Sequence, residues 1–318
     1  MKLKTTLLAV ILIFSILVGC NNQSNNEVSN DTNKNIEKEN SLDKEKANNI
    51  DIKISVASVA ISQILSEMNQ EIVGRPTTKL TLPKQYESVE EIGSSFSPDF
   101  EKVLAVGTEL LIGDEMFKDK IEKTAKEYGI ETFYVNTSTY NSFLTSIEEL
   151  GKRIGKEKEA NDIIKRFKEP LNNSKDINKD LKVAIIFGTS ESNMLATENT
   201  YVGSLVQAFG VKNIATEIVN DSSSNNPLEV ESNGYINLNL EQLLKNQPDL
   251  ILRFGHGNVE EANKAFEKLF SENPAWKNLN AFKSNKIFDL DSNIFGASAN
   301  NFVDKALTKI GEILNAES

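Results

Sequence analysis

The chain has 318 residues, of which 39% are hydrophobic, so it is long enough to form two domains with packed cores. Its net charge of −11 argues against nucleic acid and against an anionic membrane surface as binding partners. It contains one histidine and one cysteine, which excludes a metal site of several imidazoles, a cysteine cluster and an internal disulfide.

The N-terminus has the layout of a secretory signal. Lys2 and Lys4 precede an apolar run over residues 7–18, which is too short to span a membrane comfortably. The run ends in Leu-Val-Gly-Cys20, which resembles a bacterial lipobox and implies cleavage before Cys20 and lipid attachment to its thiol. We therefore predict a signal peptide over 1–19, then a lipidated Cys20 and a disordered polar tether over 20–50. The protein is expected at the extracellular face of a bacterial cell membrane.

From residue 51 onward, strand and helix patterns alternate. Strands are predicted over residues 52–56, 71–74, 109–113, 132–135, 182–187, 250–254 and 286–290. Helices are predicted over residues 59–68, 98–104, 114–128, 143–154, 156–168, 201–209, 240–244, 259–270 and 299–314. Pro170 is expected to end or kink the helix before it.

This alternation predicts an α/β fold of two Rossmann-like lobes. Each lobe would contain a parallel sheet, and a long helical backbone would join the lobes. The predicted bounds are 51–139 for the first lobe, 140–180 for the linking helices and 181–318 for the second lobe. A ligand cleft is expected between the lobes, at their facing strand ends.

The two predicted lobes share one internal correspondence. In the first lobe, a short helix that contains Glu101 precedes the strand that begins near Leu110. In the second lobe, a short helix that contains Glu241 precedes the strand that begins at Leu250. The equivalent placement of the two glutamates indicates a repeated structural unit.

His256 is expected just beyond the strand 250–254 and just before a helix. Ligands bind at this position in open α/β sheets, although an isolated histidine in a loop is the common alternative. Phe254 lies beside it in sequence, and Gly255 and Gly257 would let the backbone approach a large flat ligand. A single neutral imidazole is enough to hold a haem iron. Arg253 is expected either to form an internal ion pair or to face an anionic group of the ligand.

Sequence motifs of common enzymes are missing. The chain has neither the Gly-x-x-x-x-Gly-Lys phosphate loop nor the Gly-x-Gly-x-x-Gly pattern after a strand. The segment around Ser190 lacks the second glycine of a nucleophile elbow. An enzyme is therefore the weaker class, and we predict a binding protein.

A set of short motifs in order along the chain resembles one family. They are Ile72-Val-Gly-Arg-Pro-Thr77, Leu82-Pro83, Glu91-Ile-Gly93, Asp114-Glu-Met116, Tyr201-Val-Gly-Ser-Leu205, Pro248-Asp-Leu-Ile-Leu-Arg253, His256-Gly257 and Phe295-Gly296. The chain resembles the IsdE-type haem-binding lipoproteins, which are substrate-binding components of haem ABC importers. The resemblance implies a monomer that binds haem and delivers it to an ABC permease, with cell-surface haem carriers as further partners.

The resemblance also implies site residues. The family's axial histidine falls on His256, but the position of its axial methionine is occupied by Phe96. The iron is then either five-coordinate, with Phe96 packed on the porphyrin, or bound by another group. Met116 is the first candidate for that group, with core packing as its alternative, and Met68 and Met194 are weaker candidates. A different metalloporphyrin would also account for the change.

Three further expectations complete the predicted site. Propionate contacts are expected near Ser58 and Thr78, where amides at a helix N-terminus hold an anion. The resemblance places the permease-docking glutamates at Glu101 and Glu241, with solvated surface carboxylates as the alternative. A ferric siderophore or a corrinoid is the alternative ligand within the same class of binding protein.

Overall fold

The computed structural model describes residues 52–174, 177–189, 191–221, 230–255 and 259–317. The predicted signal peptide, Cys20, the tether and His256 all lie outside the described residues. All of the described residues belong to one compact unit, Ile50–Ser318. Within them, no helix combines the length and the apolar character needed to cross a membrane.

The first lobe is built on a parallel sheet. Its strands and those of its hairpin are β1 (Ile54–Val56), β2 (Gly74–Arg75), β3 (Glu90–Glu91), β4 (Gly93–Ser94), β5 (Ser97–Pro98), β6 (Leu110–Asp114) and β7 (Glu131–Val135). The sheet order among the described strands is β3-β2-β1-β6-β7, and β4 and β5 form a separate antiparallel hairpin. The strand predicted over 71–74 begins three residues later, at Gly74, where a Cβ atom would lie 2.4 Å from Oγ of Ser55 on β1.

Three helices cover this sheet, together with short 3₁₀ turns over Lys84–Tyr86 and Glu115–Phe117. The helices are α1 (Val59–Glu67), α2 (Phe100–Ala105) and α3 (Lys118–Glu127). Asp99 begins α2 as predicted, because its carboxylate accepts hydrogen bonds from the backbone N–H groups of Glu101 and Lys102. The helix predicted over 114–128 is divided, since Asp114 still belongs to β6 and the 3₁₀ turn precedes α3.

Two long helices link the lobes. These are α4 (Tyr140–Ile154), which ends at Gly155 with a φ of +69°, and α5 (Glu157–Asn173). A Cβ atom on Gly151 would lie 2.5 Å from that of Ala160, so this glycine permits close packing of α4 on α5. Of the two alternatives expected for Pro170, the end of the helix is wrong, because α5 continues through it to Asn173, and a kink stays a prediction.

The second lobe has a mixed sheet. Its strands are β8 (Lys182–Gly188), β9 (Asn193–Ala196), β10 (Lys212–Asn213), β11 (Tyr235–Asn237), β12 (Leu250–Gly255) and β13 (Ile287–Asp289). The order is β11-β9-β8-β12-β13, and β10 pairs with β8. Strands β10, β8, β12 and β13 run parallel to one another, whereas β9 pairs antiparallel with β8 and β11 pairs antiparallel with β9. The sequence patterns do not predict this antiparallel extension.

Helices cover both faces of the second sheet. They are α6 (Tyr201–Ala208), α7 (Ile214–Asn220), α8 (Leu240–Asn246), α9 (Val259–Glu272), α10 (Asn280–Lys283) and α11 (Val303–Ala316), with a 3₁₀ turn at Pro274–Asn278. The last helix begins at Val303 rather than at Ala299. The backbone N–H of Ala299, in the segment before this helix, donates to the carbonyl of Thr137 in the first lobe.

The α/β class of two lobes with a helical connection is therefore confirmed. One hydrophobic core runs through both lobes and the linking helices, from Ile54 to Leu314. Arg166 on α5 also connects the two lobes by ion pairs. Its guanidinium lies 2.5 Å from the carboxylate of Glu67 in the first lobe and 2.9 Å from that of Asp304 in the second. The division at residues 139/140 and 180/181 stays a prediction.

Candidate functional site

The first lobe brings four of the predicted ligand residues to one edge of its sheet. Because its described sheet strands run parallel, their carboxyl ends lie along the same edge. Ser58 follows β1, Thr78 follows β2 and Met116 follows β6. Phe96 lies in the β4–β5 hairpin, which follows β3. Residues that are far apart in sequence are thus assembled where α/β proteins bind ligands.

Phe96 and Met116 are both exposed at this edge. Phe96 lies between β4 and β5 at the tip of their hairpin and is 56% exposed, and Met116 lies in the 3₁₀ turn and is 60% exposed. The ring of Phe117 lies 6.3 Å from the ring of Phe96, so the hairpin and the turn are neighbours. Two large apolar side chains exposed on neighbouring segments indicate a surface for an apolar ligand.

Met116 differs from the other methionines of the described residues. Met68 is fully buried in the core, and Met194 is half-buried against it. The alternative that Met116 packs in the core is therefore wrong. Its side chain is accessible, whereas the thioethers of Met68 and Met194 are held by their neighbours.

Asp114 holds the turn that presents Met116. Its Oδ1 accepts a hydrogen bond from the backbone N–H of Met116 at 3.0 Å, and its Oδ2 accepts one from the Thr137 hydroxyl at 2.6 Å. Burial raises the pKa of the Asp114 carboxyl, and these two hydrogen bonds act in the opposite direction. Thr137 was missed at the sequence level, because nothing marks a threonine two residues past a strand as the partner of a distant aspartate.

Ser58 and Thr78 lie at the same edge but differ in accessibility. Ser58 is buried at the N-terminus of α1, and its hydroxyl makes no capping hydrogen bond to that helix. Thr78 is half-buried, and its hydroxyl accepts from the backbone N–H of Leu80 at 3.0 Å. Propionate binding by the amides near these two residues stays a prediction.

The loop after β2 is tied to β3 by charged groups. Glu91 accepts a hydrogen bond from the Thr77 hydroxyl at 2.9 Å and forms a 2.9 Å ion pair with Arg75. The Thr77 hydrogen bond, and after it the positive charge of Arg75, lower the pKa of the Glu91 carboxyl. This contact holds the loop that carries Thr78 at the carboxyl edge of the sheet.

In the second lobe, β12 ends at Gly255 and α9 begins at Val259. His256 falls between them and lies outside the described residues, so its role stays a prediction. A Cβ atom on Gly255 would lie 2.8 Å from that of Ala262 on α9. In this structure, the absence of a side chain at Gly255 lets α9 pack closely on the sheet. The sequence predicts a different role for this glycine, which is close contact of the backbone with a flat ligand.

The side chain of Arg253 is engaged within the protein. Its Nε lies 2.6 Å from Oδ1 of Asp289, its Nη2 lies 2.5 Å from Oδ2, and its guanidinium lies over the rings of Phe266 and Phe270. The internal ion pair, one of the two predicted alternatives, is the one observed. The assignment of Arg253 to ligand binding is not supported, because Asp289 occupies its planar donor fork.

Phe254 belongs to the core. It is 1% exposed, and its ring lies 5.1 Å from that of Phe187 on β8. The Phe254 side chain thus packs in the core, because alternate residues of a strand face opposite sides of the sheet, and its assignment to ligand contact stays a prediction. A cavity of about 510 Å³ adjoins the end of β12 and is lined by Arg253, Asn263, Asp289 and Asp291 among others.

Glu101 and Glu241 occupy equivalent places. Each is exposed in the first turn of a short helix, α2 or α8, whose N-terminus is capped by Asp99 or Asn239 respectively. Each of these helices precedes a central strand of its sheet, β6 or β12. The predicted structural correspondence between the lobes is present, while the docking role stays a prediction.

Two α/β lobes on a helical connection, with an exposed apolar edge, define the class of two-lobed solute-binding proteins. The family described as "Periplasmic binding protein" matches residues 54–294, so the chain belongs to that family. The chain is 30% identical over 279 residues to the "High-affinity heme uptake system protein IsdE" of Staphylococcus aureus, strain Newman, covering 86% of this chain and 91% of that protein.

Solved structures agree with this assignment. The S. aureus IsdE structure "complexed with heme" has a TM-score of 0.69 and 29% identity, covering 83% of this chain and 99% of that one. An "ABC Transporter Substrate-Binding Protein" from Listeria monocytogenes EGD-e has a TM-score of 0.70 and 28% identity, covering 82% and 98%. The resemblance to IsdE-type proteins is confirmed. The chain is the substrate-binding protein of an ABC transporter, and its relatives are transport proteins rather than enzymes.

Proposed function

We propose that this protein binds haem and delivers it to an ABC permease while it is anchored to the extracellular face of the cell membrane through Cys20. The observation that carries the proposal is the pair of exposed side chains, Phe96 and Met116, at the carboxyl edge of the first sheet. A porphyrin presents a large apolar face, and burial of such a face against apolar side chains is favourable.

In this proposal, the haem iron is bound by His256 from the second lobe. His256 directly follows Gly255, the last residue of β12, and is the only histidine of the chain. Met116 is proposed as the second axial ligand, since its side chain is exposed on the turn beside Phe96. Phe96 then packs on the porphyrin, and the amides near Ser58 and Thr78 receive the propionates.

The alternative ligands, a ferric siderophore or a corrinoid, have less support. Recognition of an anionic siderophore depends on available cationic side chains, and Arg253 at the end of β12 is held by Asp289. The 29–30% identity to IsdE also favours haem among the ligands of this class.

Delivery requires docking on the permease, and we assign this role to Glu101 and Glu241. Both are exposed and both lie in the first turn of their helices, which gives the two lobes equivalent acidic contacts. We propose that the protein works as a monomer, since one lobe then meets each half of the permease. Cell-surface haem carriers are proposed as the upstream partners.

The proposal is tested by titrating haem into the purified full chain, with haem in empty detergent micelles as the blank. A saturable Soret band at one haem per chain is expected. Parallel titrations with an iron-loaded siderophore and with a corrinoid, followed by protein fluorescence, test the alternatives. Saturable binding of either one without haem binding would overturn the choice of haem.

A further inference from the structure

A hydrogen-bonded relay connects the turn that carries Met116 to the second lobe. It begins at Asp114, the last residue of β6, whose Oδ1 caps the backbone N–H of Met116 at 3.0 Å. This contact is local and serves to shape the 3₁₀ turn over Glu115–Phe117. By itself, it would be an ordinary capping interaction of an aspartate.

The second oxygen of the same carboxylate extends the relay to Thr137, two residues beyond the end of β7. Oδ2 accepts the hydrogen bond of the Thr137 hydroxyl at 2.6 Å, and Thr137 is only 2% exposed. Asp114 is also buried, and within the described residues no lysine or arginine forms an ion pair with it. Burial of a carboxylate is costly, so its two donors must both stay in place for the turn to keep its position.

Thr137 completes the relay with its backbone. Its carbonyl accepts the N–H of Ala299 at 2.8 Å, and Ala299 is fully buried in the segment that follows β13 of the second lobe. That segment is itself ordered by Asp291, whose carbonyl accepts the N–H groups of Ile294 and Phe295. The relay thus connects the Met116 turn, at the carboxyl edge of the first sheet, with the segment around Ala299, which follows β13 of the second sheet.

We propose that Asp114 and Thr137 are positioning residues of the ligand site, which hold the Met116 turn at a set distance from the second lobe. The inference rests on the proposed function, in which Met116 and the second lobe contact the same ligand. Neither residue touches the ligand in this account. If the hydrogen bonds of the relay are weakened, the Met116 turn takes its ligand-binding position for only a fraction of the time. The apparent affinity for the ligand is then the full affinity multiplied by that fraction.

The test compares Thr137→Val with Thr137→Ser in the full chain. Valine removes the hydroxyl but leaves the carbonyl that binds Ala299, and serine restores the hydroxyl. The matched control is Thr197→Val, since Thr197 is also 2% exposed and its hydroxyl also donates at 2.6 Å, to the carbonyl of Gly234. Thr197 directly follows β9, which runs antiparallel to β8. It therefore lies away from the carboxyl ends of the parallel strands, where the ligand is expected.

Two readouts separate positioning from general stability. Hydrogen exchange of the backbone amide of Met116 should be faster in Thr137→Val, normal in Thr137→Ser and normal in the control. Haem affinity should fall about tenfold in Thr137→Val, which corresponds to the loss of one hydrogen bond to a charged group, and stay unchanged in the other two.

Each outcome has a definite meaning. Exchange at Met116 that is unchanged in Thr137→Val overturns the relay, and this measurement needs no haem. Equal haem affinities of Thr137→Val and Thr197→Val overturn the positioning role. If the unaltered chain binds no haem, the proposed function fails instead, and the exchange result distinguishes the two failures.

Discussion

Arg253 and Asp289 form an ion pair with two parallel hydrogen bonds, of 2.6 and 2.5 Å, between neighbouring strands β12 and β13. The guanidinium is further covered by Phe266 and Phe270, which lie 5.2 and 5.3 Å from it. The pair therefore stabilises the edge of the second sheet beside the predicted position of His256.

Replacement of this arginine should reduce stability without removing haem affinity. Arg253→Met is expected to lower the free energy of unfolding by about 1–2 kcal/mol, since a paired and stacked guanidinium is lost. Lys264→Met is the matched control, because Lys264 forms only an exposed pair with Glu260, and a change below about 0.5 kcal/mol is expected. Urea denaturation measures the free energy of unfolding of both variants and of the unaltered protein. Loss of haem binding in Arg253→Met at unchanged stability would instead make Arg253 a ligand residue.

Two phenylalanines provide a contrast between core and ligand surface. Phe254→Ala should lower the free energy of unfolding by about 3–5 kcal/mol, because Phe254 is fully buried against Phe187. Phe96→Ala should change it by less than about 0.5 kcal/mol, because Phe96 is exposed. Phe96→Ala is nevertheless expected to weaken haem binding, which parallel denaturation and haem titration would detect. A strong loss of stability in Phe96→Ala would show that its ring supports the hairpin rather than the ligand.

The methionine assignment predicts a spectroscopic change. Met116→Leu removes the thioether and keeps the apolar volume, so it should leave stability unchanged and shift the visible spectrum of the haem complex toward a five-coordinate iron. Met194→Leu is the control, since Met194 is half-buried against the core and follows the start of β9. Identical spectra for Met116→Leu and the unaltered protein would exclude Met116 as an axial ligand.

Alkaline pH should destabilise the joint between the linking helices. Burial raises the pKa of Tyr140 to about 12, and its hydroxyl donates to the carbonyl of Phe167. The folded protein therefore keeps this proton at a pH at which the unfolded chain, with a pKa of about 10, has lost it. The resulting stability is complete below pH 10 and is lost as the pH rises through about 12. Denaturation of Tyr140→Phe and the unaltered protein between pH 9 and 12 should show a smaller decline for the variant.

The proposed lipid anchor at Cys20 can be tested by the location of the protein in the cell. Cys20→Ala should release the protein from the membrane fraction of bacterial cells and prevent lipid labelling, because the only thiol of the chain is removed. Ser15→Ala is a control within the apolar run. Membrane retention of Cys20→Ala after signal processing would argue against lipidation at that residue.

Much of the α/β architecture could be predicted from the alternation of strands and helices. The equivalent positions of Glu101 and Glu241 followed from sequence alone, since each lies in a short capped helix before a buried strand. The antiparallel strands β9 and β11 could not be found in this way. They are four and three residues long, and only their pairing with β8 and with each other gives them strand structure.

Side-chain direction limited the prediction of the site. The sequence placed Arg253 and Phe254 beside the expected ligand, but the strand turns Phe254 into the core, and Asp289 on the adjacent strand captures Arg253. For Met116, the helical sequence pattern indicated core packing as strongly as exposure. The predicted helix is interrupted by the 3₁₀ turn over Glu115–Phe117, and Met116 is exposed on that turn. The link between Asp114 and Thr137 depends on the pairing of β6 with β7, which no local pattern reveals.

Haem binding through His256 is tested by the absorption spectrum of the full chain with haem, measured for the unaltered protein and for His256→Ala. Because His256 is the only histidine, the variant removes every imidazole from the protein. We predict a saturable Soret band for the unaltered protein, with loss of that band and of tight binding in His256→Ala at an unchanged melting temperature. A His256→Ala variant that binds haem with the same affinity and the same Soret band would contradict this prediction.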